Sequence, residues 1–129
     1  MRSVALALTI LGALLASAAS SQQYAMTAGD LQDLCAGADH VSRNVCRVYI
    51  LGVTEGITVG LRMADGKTRG GRPCIPDGVS AELLEQTLKT RLNDALAAAA
   101  ANRARDASGF IGAALVQSFP CTPGASATH

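Results

Sequence analysis

Hydrophobic residues form one continuous run near the start of the chain and afterwards alternate with polar residues at regular intervals. The run Val4–Leu15 follows the basic residue Arg2 and precedes small residues at 16–18, reading Ala-Ser-Ala. This order is typical of a secretory signal peptide, and the run is shorter than the roughly 20 residues of a membrane-spanning helix. We therefore expect a signal peptide over residues 1–18 and export of residues 19–129 as a soluble protein.

Four segments of the exported part carry hydrophobic residues every three or four positions, which is the spacing of one face of an α-helix. Thr27 and Asp30 have the order of an N-terminal capping box, which predicts a short first helix that ends at Cys35. The second helix is predicted from near Ser42 to about Met63.

The third helix is predicted from Val79 or Ser80 to Ala101, with a stripe of leucines on one face at positions 83, 84, 88, 92 and 96. The fourth helix follows the hydrophobic face of residues 110–119 and stops before Pro120, because proline cannot continue a helix. The fold class is therefore predicted to be all-α, a small four-helix bundle-like domain over 27–121. A polar leader (19–26) precedes it, and a flexible tail (122–129) follows it.

Three glycines recur at four-residue intervals inside the predicted second helix, at positions 52, 56 and 60. Each glycine in a helix interior costs about 1 kcal/mol relative to alanine, so the spacing needs an explanation. We expect the three to form a groove in which a neighbouring helix backbone lies closely. A β-strand over Val48–Val59 remains an alternative, because valine, isoleucine and threonine favour strands.

The four cysteines lie in the exported part, and an even number in a small exported domain predicts two disulfides. Four cysteines allow three pairings. If short loops make consecutive helices antiparallel neighbours, the favoured pairs are Cys35–Cys46 and Cys74–Cys121. A metal site is not expected, because the cysteines are too far apart in sequence to match zinc-binding motifs.

Charge and composition argue against several function classes. Without Arg2 the 11 basic residues become 10, against 10 acidic residues, and a neutral protein is a poor partner for nucleic acid. The two histidines, His40 and His129, lie in a connector and a tail, so no base is placed for a serine or cysteine nucleophile. A carboxylate pair among residues 30, 33 and 39 is better explained as a solvated face. We expect neither an enzyme nor a cofactor.

The segment 64–72 is a glycine-rich loop with basic residues and no predicted secondary structure. Gly66-Lys67-Thr68 resembles part of a phosphate-binding loop, but the preceding glycine and strand of that motif are absent. An exposed basic loop is suited to contact an acidic patch on a protein partner.

Taken in chain order, four short motifs resemble a known family. They read T-x3-L-x2-L-C over 27–35, C-x2-Y-x2-G-x3-G over 46–56, C-I-P-x-G-V over 74–79, and A-x-L-x3-F-P-C ending at Cys121. With the leader, this order resembles the Rap/Tai-type immunity family. Its members are small periplasmic proteins of Gram-negative bacteria that neutralise peptidoglycan amidase toxins delivered by type VI secretion.

The resemblance implies a periplasmic protein that binds an amidase and blocks its active-site cleft without catalysis, and a homodimer is an implied assembly. It implies structural roles for the shared framework residues, which are Cys35, Cys46, Tyr49, Gly52, Gly56, Cys74, Pro76, Pro120 and Cys121. The partner contacts are expected in the basic loop, at Lys67, Arg69 and Arg72. The alternative is a periplasmic binding or stress and chaperone-like protein with the same fold and no toxin partner.

Overall fold

The computed structural model describes residues 25–64 and 71–121 as a bundle of four α-helices. They are α1 (Ala28–Ala36), α2 (His40–Met63), α3 (Ala81–Ala98) and α4 (Ala107–Ser118), with a 3₁₀ helix (Ala100–Ala104) between α3 and α4. No strand occurs within these residues, and two isolated β-bridges are found. The prediction of an all-α, four-helix fold is confirmed. The predicted signal peptide, most of the polar leader and the tail 122–129 lie outside the described residues.

Each α-helix begins at a polar side chain that accepts a hydrogen bond from a backbone amide of the first turn. Thr27 and Asp30 form the predicted reciprocal capping box of α1. Asp39 accepts from the amide of Ser42 at 2.8 Å, so α2 begins before Ser42 and not at it. Ser80 and Asp106 cap α3 and α4 in the same way.

The helical boundaries near the alanine run differ from the prediction. Ala99 is extended, with φ −153° and ψ 115°, so α3 ends three residues before Ala101. The carbonyl of Ala95 accepts the backbone amide of Ala99 at 3.3 Å. It also accepts the side-chain amide of Asn102 at 2.8 Å, and this second bond ties the 3₁₀ helix to the last turn of α3. The strand alternative for 48–59 is wrong, because α2 is helical throughout that stretch.

The core lies where one face of each helix meets the others. Its buried hydrophobic residues include four of the predicted leucines of α3, at positions 84, 88, 92 and 96. Leu83, which the stripe also included, is instead 52% exposed. Burial of each such leucine contributes about 2 kcal/mol, so this face of α3 fixes the position of the helix. Among described residues, no helix is long and apolar enough to cross a membrane.

Two disulfides link the ends of the helices. Cys35–Cys46 joins the end of α1 to the first turns of α2, and Cys74–Cys121 joins the segment before α3 to the segment after α4. The backbone reinforces the second link, because the amide of Cys74 donates to the carbonyl of Phe119 at 2.7 Å. The two disulfides and their favoured pairing are confirmed.

Candidate protein-binding surface

The carboxylates considered for acid–base chemistry are used in the structure to hold helices. Asp30 and Asp39 are helix caps. Asp33 pairs with Arg103 at 2.8 Å, and the guanidinium of Arg103 also donates to the side-chain oxygen of Gln32 at 2.7 Å. These contacts fix the 3₁₀ helix against α1. The three aspartates therefore do not form a carboxylate pair.

The pKa shifts of the capping aspartates also fit a structural role. Hydrogen bonds from hydroxyl and amide groups lower the pKa of Asp30, Asp39 and Asp106 below the usual value. The hydrogen bond from Arg47 lowers the pKa of Glu82. A general acid at neutral pH needs a raised carboxyl pKa, which is the opposite direction.

Tyr49 is half-buried, and its pKa is raised by burial and by the negative charge of Asp106. The ring packs against the core, so Tyr49 has the structural place that its motif implied. Within residues 25–64 and 71–121, no three His, Cys, Asp or Glu side chains are grouped closely enough to hold a metal ion.

A cavity of about 330 Å³ lies between α3, the 3₁₀ helix and α4. Its lining includes Arg91, Asp94, Asn102, Arg105 and Phe110. Arg91 is already bound to the hydroxyl of Ser118 at 3.2 Å. The cavity is open to solvent.

The glycines of α2 do not form the predicted groove for a neighbouring helix. A Cβ atom built on Gly52, Gly56 or Gly60 would meet nothing within 4 Å in the described structure. All three are exposed. The prediction was wrong because four-residue spacing shows that the glycines share a face of α2, and does not show which face is buried.

One line of exposed residues along α2 is uncharged, and we name it the α2 stripe. Its members follow each other at three- or four-residue spacing and are all exposed: Val41, Val45, Val48, Gly52, Gly56, Val59 and Met63. The buried side of α2 is a different line that contains Cys46, Ile50 and Thr54. Both lines have helical spacing, so sequence periodicity detected the helix and missed this surface.

Of the three residues predicted to contact a partner, the structure places one. Arg72 is exposed, whereas Lys67 and Arg69 lie outside the described residues. The chain beside Arg72 is held against the end of α4, because Pro73 and Pro120 form a β-bridge. Arg72 thus lies at a fixed end of the basic loop.

Comparison with known proteins supports a binding role. The family model of Rap1a immunity proteins matches residues 27–121, which is the whole stretch from the cap of α1 to the second disulfide. No curated protein and no solved structure matches the chain. Since the family model covers most of the chain and both disulfides, the chain belongs to the Rap1a immunity protein family.

Proposed function

We propose that the protein is a periplasmic immunity protein that binds a peptidoglycan amidase toxin delivered by type VI secretion and blocks its active-site cleft without catalysis. The observation that carries the proposal is the family match over residues 27–121. An immunity protein acts on a protein toxin, and an amidase toxin acts on peptidoglycan outside the cytoplasm. Two disulfides fit that location, because the cytosol keeps thiols reduced.

A rigid binding module is also what the fold provides. The Cys74–Cys121 disulfide and the Arg103–Asp33 contact join elements distant in sequence. Interfaces whose backbone is fixed before binding lose less entropy when the complex forms. The proposed inhibitor therefore blocks the cleft as a preformed body.

We further propose that the basic loop supplies contacts to an acidic patch on the toxin, through Lys67, Arg69 and Arg72. Basic residues that face an acidic patch speed association and select the partner. The position of Arg72 beside the Pro73–Pro120 bridge supports this choice, because the bridge holds the backbone next to this exposed side chain.

The test is a binding titration of the oxidised protein with peptidoglycan amidase effectors, followed by single charge reversals. Arg72→Glu should weaken binding about tenfold or more, mainly through slower association. Arg105→Glu is the control, because Arg105 is also exposed and lies beyond the other end of α4. The 12 residues of α4 separate the two sites by about 18 Å.

Equal losses from both variants would contradict the assignment of the loop while leaving toxin binding intact. Absence of binding to every amidase by a folded, oxidised protein would contradict the proposed function. That result would favour a periplasmic protein of the same fold with another partner.

A further inference from the structure

We propose that the cavity between α3, the 3₁₀ helix and α4, which we name the α3–α4 cleft, binds a short amino dicarboxylate. The ligand class is a small molecule with two carboxylates and one ammonium group, as in a γ-glutamyl dipeptide. This ligand is distinct from the toxin, so the proposal does not depend on the proposed function.

One face of α3 and one face of α4 form the two long walls of the cleft. The residues of each wall follow helical spacing. They are Arg91, Asp94 and Ala95 of α3, and Phe110, Ala113, Ala114 and Gln117 of α4. Alanines on both walls leave room for a cavity of about 330 Å³, which is within the range of about 300–1,000 Å³ for small-molecule sites. From Phe110 to Gln117 the cleft extends over about 10 Å, at 1.5 Å per residue.

Hydrogen bonds to neighbouring elements fix both ends of the cleft. At one end, Nε of Arg91 donates to the hydroxyl of Ser118 at 3.2 Å and joins α3 to α4. At the other end, the side-chain amide of Asn102 donates to the carbonyl of Ala95 at 2.8 Å and joins the 3₁₀ helix to α3. The walls are therefore in place before a ligand arrives, and a preformed site loses less entropy on binding.

The charged residues of the cleft have no ion-pair partner among the residues that the structure describes. They are Arg91, Arg105 and Asp94, and the ion pairs of the described chain involve other side chains. Arg103 differs, although it is only two residues before Arg105, because it pairs with Asp33 at 2.8 Å. Two cations and one anion therefore line a cavity that is open to solvent. A ligand of complementary charge has two anionic groups and one cationic group.

The side chain of Arg91 is suited to bind a carboxylate. Its Nε donates to Ser118, which leaves the two terminal nitrogens of the guanidinium for a ligand. The planar guanidinium binds both oxygens of a carboxylate through parallel N–H donors. Arg91 therefore keeps its bond to α4 while it holds an anionic group in the cleft.

Arg91 and Asp94 together match the head group of an α-amino acid. They lie three residues apart on α3, so their side chains are neighbours on one face of the helix. An α-amino acid carries a carboxylate and an ammonium group on one carbon atom, and these offer the opposite charge to Arg91 and Asp94. A ligand with carboxylates alone is disfavoured, because Asp94 would face a group of the same charge.

Arg105 supplies the cationic group for a second carboxylate at the far end of the cleft. It precedes Asp106, the cap of α4, whereas Arg91 contacts Ser118 at the other end of that helix. The ligand therefore needs a chain between its carboxylates that is nearly as long as the cleft. In extended γ-glutamylalanine the carboxylates lie about 8 Å apart, at about 3.5 Å for every three backbone bonds.

Another depression, along α3, lacks such a set of unpaired charges. Its lining includes Glu82, Glu85 and Lys89. Glu82 pairs with Arg47 at 2.7 Å, and Lys89 pairs with Glu85 at 3.6 Å. Because these charges already have partners in the folded chain, the α3–α4 cleft is the better site for a charged ligand.

The first test is a titration of the exported, oxidised protein with γ-glutamylalanine, followed by ¹H–¹⁵N NMR. We expect saturable binding with a Kd of about 1 mM or lower, and the largest shifts at the amides of residues 91–95 and 110–117. Arg105→Ala should weaken binding about tenfold or more, because hydrogen bonds between charged groups are lost. Arg62→Ala is the matched control and should bind like the wild type, since Arg62 is exposed on α2 and does not line the cleft.

The same spectra show whether each variant is folded. Absence of saturable binding to the wild type would overturn the proposal. Shifts centred outside the cleft, or an equal loss of affinity in Arg105→Ala and Arg62→Ala, would also overturn it.

The second test asks whether Asp94 recognises the ammonium group. Glutarylalanine is γ-glutamylalanine without that group, and the wild type should bind it about tenfold or more weakly. Asp94→Asn should bind the two molecules with nearly equal affinity, because the group that distinguishes them has lost its partner. Equal affinities in the wild type, or an unchanged preference in Asp94→Asn, would refute the proposed ligand class.

Discussion

The substitution Gly52→Ala should stabilise the folded chain, although it alters a framework residue of the family motif. Gly52 lies in the interior of α2, is exposed, and has no atom within 4 Å of an added Cβ. The added methyl group therefore meets no steric conflict within one chain. Alanine also restricts the unfolded state more than glycine does. The expected gain in unfolding free energy is about 1 kcal/mol, equivalent to about 4–8 °C in Tm for a domain of this size.

The same substitution at Gly29 should have the opposite effect. Gly29 is buried in α1, and a Cβ there would lie 3.1 Å from the Cβ, Nε and carbonyl oxygen of Arg103. Arg103 has little freedom to move away, because its guanidinium is bound to Asp33 and Gln32. Overpacking of this kind costs about 1–3 kcal/mol. Gly29→Ala should therefore lower the free energy of unfolding.

Both variants are measured at several protein concentrations, because any self-association would make the apparent stability depend on concentration. Urea unfolding followed by circular dichroism gives the free energy of unfolding of each variant. If the slope of this free energy against urea concentration equals that of the wild type, the denatured states are comparable. A loss of stability for Gly52→Ala would refute the reasoning, because it would show that this face of α2 is covered within the single chain.

Three further predictions concern cross-links, pH and export. Removing Cys74–Cys121 by paired alanine substitutions should lower the free energy of unfolding by about 4 kcal/mol, and removing Cys35–Cys46 should lower it by about 3 kcal/mol. The difference follows from the lengths of the closed loops, since the sequence separations are 47 and 11 residues. Urea unfolding measures both losses, and equal losses or the reverse order would contradict the loop-entropy argument. The lowered pKa values of Asp30, Asp39 and Asp106 mean that the unfolded state binds protons more readily, so stability should fall as pH drops below about 4. Asp39→Asn keeps a capping residue and should make this loss of stability at low pH smaller than in the wild type. An unchanged pH profile would refute the claim that the ionised Asp39 carboxylate stabilises the fold. The exported protein should begin at Ala19 by intact mass, and an uncleaved chain would contradict a signal peptide over 1–18.

Most of the leucine face of α3 and the cap of α1 were predictable because a single physical cause determined each of them. The leucines at 84, 88, 92 and 96 recur at helical spacing and are all buried, and Thr27 with Asp30 forms a capping box by local geometry alone. The start of α2 was predicted near Ser42, whereas the structure places it earlier, because Asp39 caps the helix. The end of α3 was missed because the alanine run favours helix throughout, while Asn102 acts on Ala95 only once the chain has turned.

The candidate surface was harder to predict than the fold. Helix α2 has two hydrophobic lines, one through Cys46 and Ile50 and one through Val48 and Gly52, and periodicity does not rank them. Only the disulfide from Cys35 and the packing of the other helices decide that the first is buried. Contacts to a toxin depend on the shape of that partner as well, so the residues of the basic loop could be proposed only from their charge.

The most direct measurement of the central claim is an inhibition titration of a peptidoglycan amidase effector with the oxidised protein. Release of peptide stems from purified peptidoglycan is followed as the protein is added to a fixed amount of enzyme. Tight, stoichiometric inhibition is predicted: activity should fall in proportion to the protein added and vanish when every amidase molecule is bound. Full activity of each effector tested, in a large excess of the folded and oxidised protein, would contradict the claim that this chain protects against an amidase toxin.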